Sequence, residues 1–168
     1  FLVVYADDFI AGFQYPWEAE RFYEQLRSRM AKFGLELEEN KSRIVESGRY
    51  LASLKAKRGE STRLGTFDFL GFTFYCGRTT KGNPWIMPKT SSKKFRQKVK
   101  EIKIWLYNNK EQKLGKLMYM LNVKLVGHYR YYGISFNSRM ISNYKQQVRE
   151  LLYKVLNRRS EKKSYTRE

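Results

Sequence analysis

The pattern of apolar and polar positions mixes strand-like and helix-like periods over the first half of the chain and becomes helical in the second. Phe1 to Tyr5 (FLVVY) is a continuous apolar run, Ala6-Asp7-Asp8 interrupts it, and Phe9 to Phe13 resumes it. This predicts a hairpin of two buried strands with acidic residues at its tip. Pro16 suits a helix start, and Phe22, Leu26, Met30 and Phe33 recur at helical spacing up to Gly34, which predicts a helix over 17–33. Leu35-Glu36-Leu37-Glu38 alternates as a half-exposed strand does, and Arg43-Ile44-Val45 reads as another.

Residues 55–65 are polar with two glycines and read as a mobile loop. The aromatic run from Thr66 to Tyr75 then has strand composition with apolar residues on both faces. Turn formers between Gly77 and Pro84, followed by Pro88, place a domain boundary there. Beyond it the period of 3.6 takes over and predicts three helices. They run over 92–108 (Phe95, Val99, Ile102, Leu106), 114–131 (Leu117, Leu121, Leu125, Tyr129) and 138–158 (Ile141, Tyr144, Val148, Leu151, Val155). The expected fold class is α+β: an antiparallel sheet with a helix over residues 1–88, then a mainly α-helical bundle over 89–168.

Charge sharpens this division. The chain of 168 residues has 34 Lys and Arg against 16 Asp and Glu, a net +18. Residues 1–88 hold 13 basic and 11 acidic side chains, residues 89–168 hold 21 and 5, so the helical half carries nearly all the excess. Such a charge repels itself in a compact fold and is explained by a polyanionic partner. No apolar run approaches the roughly 18 residues a membrane span needs, and no signal-peptide pattern opens the chain. A lone Cys76 and a lone His128 can form neither an internal disulfide nor a zinc site of known spacing, which fits a reducing, cytosolic setting.

The candidate chemistry is acidic. Two adjacent carboxylates, Asp7 and Asp8, between apolar strands make sense where cations neutralise them, and magnesium bound through oxygen ligands and substrate phosphates is the fitting ion. Alone, an Asp-Asp pair is more often a polar turn. Its context, Phe-Leu-Val-Val-Tyr5-Ala6-Asp7-Asp8-Phe9, resembles the signature hairpin of reverse transcriptases.

The likeness continues through Gly34-Leu35-Glu36-Leu37, Asn40-Lys41-Ser42-Arg43-Ile44-Val45 and Phe67-Asp68-Phe69-Leu70-Gly71-Phe72, which are similar to successive palm motifs of group II intron reverse transcriptases. Leu125-Val126-Gly127-His128-Tyr129-Arg130-Tyr131-Tyr132-Gly133, with Asn157-Arg158-Arg159-Ser160, resembles the thumb or maturase-specific region of bacterial intron-encoded proteins. This second signature selects the maturase subfamily over retron and retroviral enzymes.

The resemblance implies a partial polymerase palm over 1–88 and a thumb or maturase-specific domain over 89–168. It implies Asp7 and Asp8 as magnesium ligands and catalytic residues, with Lys41 assisting the departing pyrophosphate. Tyr5 and Ala6 would border the primer end and the incoming deoxynucleoside triphosphate, and Phe69, Leu70 and Gly71 would form the primer grip. Lys93, Lys94, Arg96, Lys98, Lys100 and Arg130 would track the phosphates of intron RNA or of an RNA template and DNA primer duplex. His128 and Tyr129, Tyr131 and Tyr132 offer base stacking, although aromatics at helical spacing more often build a bundle core.

The expected activity is RNA-directed DNA polymerisation with intron-splicing maturase function, in a bacterial cytoplasm. The alternative is a non-catalytic RNA-binding maturase remnant, and charge alone would fit a basic structural protein of the ribosome or nucleoid. Because the family site takes a further carboxylate from an earlier palm strand and Phe1 already lies within a strand, an upstream portion is expected and the isolated chain is expected to be inactive.

Overall fold

The computed structural model describes residues 1–38, 41–60 and 64–159. The chain forms two compact units, Phe1–Ser47 and Gly48–Glu168.

In the first unit β1 (Leu2–Tyr5) and β2 (Asp8–Ala11) pair antiparallel, with Tyr5 opposite Asp8 and Leu2 opposite Ala11. The two-residue turn Ala6-Asp7 places Ala6 at φ 53, in the left-handed region. Helix α1 (Pro16–Ala31) follows. Pro16 occupies its first turn, and the Glu18 carboxylate accepts the backbone N–H groups of Gln14 and Tyr15, each at 3.2 Å, so the helix start is satisfied by its own sequence. Its stop is Gly34 at φ 68, with the Leu35 N–H donating to the Met30 carbonyl at 3.0 Å, a Schellman closure that favours glycine. Phe22 of α1 meets Phe9 and Phe13 with ring centroids 6.5 and 5.1 Å apart.

Two expectations fail in this unit. The hairpin is not buried: Leu2, Val4 and Tyr5 are 59 %, 61 % and 63 % exposed. A two-stranded ribbon and one helix can cover at most one face of so apolar a run. Nor are 35–38 and 43–45 strands, because no neighbouring edge pairs with them among the described residues. Two-period alternation makes a strand only where a ladder partner lies alongside.

The second unit begins with α2 (Arg49–Lys57), so the first residues of the expected 55–65 loop are helical. A three-stranded antiparallel sheet follows in the order β3 (Phe67–Phe69), β4 (Phe72–Arg78), β5 (Pro84–Thr90). The aromatic run read as one strand is therefore two. Leu70 and Gly71, at φ 49 and 79, fold it back, with Phe69 opposite Phe72. That pair of positive φ values is the geometry of a tight hairpin turn matched to strand twist. The turn formers after Gly77 join β4 to a third strand instead of ending the sheet. Pro84 and Pro88 are accommodated because β5 is an edge and pairs only with β4.

Helices α3 (Ser92–Asn108), α4 (Leu114–Tyr132) and α5 (Ser138–Asn157) lie within a residue of the expected bounds. Ile102, Leu106, Leu117, Leu121, Tyr144, Val148, Val155 and Leu156 form their core, with Phe95, Val99, Leu125, Tyr129 and Leu151 packed on it. The expected boundary at residue 88 falls inside β5, and the sheet belongs to the same compact unit as the helices. The antiparallel sheets and the helices occupy separate stretches of each unit, an α+β organisation.

Candidate functional site

The first unit holds the acidic tip. Asp7 and Asp8 are exposed, one in the turn and one opening β2, with Tyr5 and Ala6 alongside. Lys41 is brought near enough to feel both carboxylates, but its closest partner is Glu38 at 2.5 Å. The hydrogen bond and charge of Glu38 raise the Lys41 pKa, and Asp7 and Asp8 raise it further, so the ammonium stays protonated at neutral pH. No group of three or more His, Cys, Asp or Glu that could hold a metal occurs among the described residues. Two carboxylates nevertheless fit magnesium, which keeps several waters and is commonly bound by one or two carboxylates together with substrate phosphates.

The second unit holds the basic surface. Phe95, Val99, Ile102 and Leu106 turn one stripe of α3 inward, which leaves Lys93, Arg96 and Lys100, at intervals of three and four, exposed on the outward stripe. Lys94 and Lys98 fall on its flank. Lys98 pairs with Glu101 at 2.8 Å and, with Gln97, holds that carboxylate below its ordinary range, so Lys98 is partly neutralised while its three outward neighbours are not. Arg130 is exposed near the end of α4.

The β3–β4 turn sits beside this flank. A Cβ built on Gly71 would lie 3.0 Å from the Tyr132 hydroxyl and 3.5 Å from Lys94 Cγ, so glycine is favoured by its φ of 79 and by the close approach of Tyr132. The Tyr131 hydroxyl donates to the Leu70 carbonyl at 2.9 Å, and Tyr131 and Tyr132 both meet the Phe72 ring, at 5.9 and 5.2 Å. Leu70, Gly71, Lys94 and the end of α4 thus converge, whereas Phe69 is half-buried within the sheet.

The four aromatics offered for stacking divide. His128 and Tyr132 are buried, and Tyr129 is half-buried against the core. Of the four, Tyr131 alone is exposed, at 53 %. His128 lies flat on Tyr144 at 3.7 Å, and burial, assisted by the nearby Lys98 charge, lowers its pKa to about 4.

A buried polar clasp escaped the sequence reading. Asn137, fully buried, accepts the Thr90 N–H at 2.8 Å and donates to Thr90 Oγ1 at 2.8 Å and to the Tyr132 carbonyl at 2.7 Å. Next to it the Ser91 N–H donates to the Gly71 carbonyl at 2.9 Å while its side chain caps α3 through the Lys94 N–H. The β3–β4 turn, the start of α3 and the end of α4 are therefore fixed by one network. An Asn one residue before Ser138 suggests only a helix cap; nothing local points across 47 residues to Thr90.

No described helix is long and apolar enough to cross a membrane. Residues 92–168 match a protein-family model, the group II intron maturase-specific domain. Neither the curated proteins nor the solved structures contain a match to the chain.

Proposed function

The chain carries the maturase-specific domain of group II introns over residues 92–168, and from that premise we propose that it is the palm-to-thumb part of an intron-encoded RNA-directed DNA polymerase and splicing maturase. The match over the basic helices is the observation that carries this reading. The hairpin with Asp7 and Asp8 at an exposed tip supports its polymerase half.

In this reading residues 1–88 contribute the palm and residues 89–168 the thumb or maturase-specific domain. Lys93, Arg96, Lys100 and Arg130 engage phosphates of intron RNA or of an RNA template and DNA primer duplex, giving affinity without reading sequence. Lys94, exposed, lies beside the Leu70-Gly71 turn, an arrangement in which a strand gripped at the turn meets the lysine with its phosphate. Tyr5 and Ala6 border the position of the incoming deoxynucleoside triphosphate.

Asp7 and Asp8 would hold magnesium, which supplies electrostatic stabilisation of the attacking and leaving oxygens when bound. The protonated Lys41 would exchange Glu38 for the departing pyrophosphate, a step its exposure permits. Its setting would be the bacterial cytoplasm.

The test is primer extension on an RNA template with magnesium by the full-length natural protein, alongside retention of its intron RNA on a filter. Extension lost in Asp7→Ala with RNA retention intact is expected. RNA retention without any extension by the unaltered protein would replace this reading with a non-catalytic RNA-binding maturase.

A further inference from the structure

Between the first turns of α2 and the β4–β5 connection lies an open cleft of 570 Å³, outside the region that matches the maturase-specific family. Its lining is chemically one-sided: Arg49 and Lys81 supply two cations, Trp85 and Tyr50 two aromatic rings, Asn83 and the Thr79–Thr80 pair polar groups, and among the described residues no carboxylate lines it. The Arg49 guanidinium lies over the Trp85 ring at 5.2 Å, yet Trp85 stays 42 % exposed and Tyr50 79 % exposed. Two large rings thus stand partly open to water beside two cations, Arg49 and Lys81.

Gly48 gives α2 no side-chain cap, and its first turn contains no acidic residue, so the start of the helix offers no carboxylate to compete for an anion beside Arg49.

We propose that this cleft binds an unpaired RNA nucleotide, the base stacking on Trp85 and Tyr50 and the flanking phosphates meeting Arg49 and Lys81. The combination of an aromatic platform with a cationic border is what single strands require, since every base has a π face and every linkage a negative charge. A paired helix cannot use the rings, because its bases are already stacked. The inference rests on the reading that the chain binds RNA, and adds to the basic helices a second contact selective for unpaired segments.

The experiment measures fluorescence anisotropy of two probes with the full chain at one fixed salt: a labelled oligouridylate and a blunt RNA duplex. Trp85→Ala is expected to weaken oligouridylate binding about tenfold, the scale of one lost base stack. Trp85→Phe should restore most of it, and duplex affinity should stay unchanged. Tyr50→Ala and Lys81→Gln, at exposed positions that leave the fold intact, should each weaken oligouridylate binding severalfold, and Lys81→Gln should also lower its salt dependence. Oligouridylate affinity indifferent to Trp85, Tyr50 and Lys81, or equal weakening of both probes, overturns the inference while duplex binding preserves the RNA-binding reading. An unaltered chain that binds neither probe defeats both.

Discussion

Asn137 and Thr90 hold each other at two points, the Thr90 N–H donating to Asn137 Oδ1 and Asn137 Nδ2 donating to Thr90 Oγ1, both at 2.8 Å and both shielded from water. Replacing Asn137 by Leu strands the buried Thr90 N–H and removes a donor from the Thr90 hydroxyl and from the Tyr132 carbonyl, which keeps the Ile134 N–H. An orphaned buried group costs about 1–3 kcal/mol and each lost hydrogen bond about 1 kcal/mol, so the expected loss is roughly 2–5 kcal/mol. The urea midpoint of the helical circular dichroism signal should fall accordingly with an unchanged slope.

Gly71→Ala should destabilise the same unit by about 1–2 kcal/mol, since its φ of 79 is disfavoured for any residue with a Cβ and the new methyl would press on the Tyr132 hydroxyl at 3.0 Å. Tyr131→Phe, which removes only the hydroxyl bonded to Leu70, should cost about 1 kcal/mol or less at this exposed position. Thermal melts of the two variants side by side check the ordering; a Gly71→Ala protein as stable as the unaltered chain would refute the tight-turn geometry.

His128 makes stability depend on pH. Burial lowers its pKa from 6.5 to about 4, so the unfolded chain binds the proton more readily than the folded one. The stabilisation is full above pH 6.5, declines as pH falls through that value toward 4, and levels off below. Its size is on the order of 3 kcal/mol at most. Urea midpoints at pH 5 and pH 7.5 should differ in the unaltered protein, and His128→Phe, which keeps a ring on Tyr144 but cannot titrate, should reduce that difference.

Neutralising the outward stripe of α3 through the combined replacement Lys93→Gln, Arg96→Gln and Lys100→Gln should weaken RNA binding at every sequence tested. The slope of log affinity against log salt should shallow by about 2, as three phosphate contacts release their counterions no longer. Lys98→Gln, whose charge Glu101 already partly neutralises, should have less effect. Anisotropy titrations across a salt series distinguish the two.

Asp7→Asn should be nearly silent in stability, within about 0.5 kcal/mol, because the side chain is exposed and the nearby Lys41 already has Glu38 as its closest partner. The same change should reduce magnesium-dependent primer extension by the full-length protein at least about a hundredfold, the scale of losing a preorganised electrostatic contact to the reacting phosphate. Extension that survives Asp7→Asn would remove this carboxylate from the reaction.

The helices were legible in the sequence because each carries its own signal. Phe95, Val99, Ile102 and Leu106 fix the inward stripe of α3, and Gly34 fixes the stop of α1, through periods and backbone preferences that act within a few residues. The Asp7-Asp8 hairpin was readable for the same reason. What only the tertiary structure decided depends on partners far along the chain. Whether Leu35 to Glu38 becomes a strand depends on an edge to pair with, and the described residues provide none there. Whether Thr66 to Tyr75 is one strand or two turns on Leu70 adopting a left-handed φ, which the Tyr131 hydroxyl, 61 residues away, holds by its carbonyl. The Thr90–Asn137 clasp and the meeting of Arg49 with Trp85 likewise join residues with no local relation. Periodicity reports which face of an element is apolar; what that face meets is settled by packing, where distant side chains compete for the same surface.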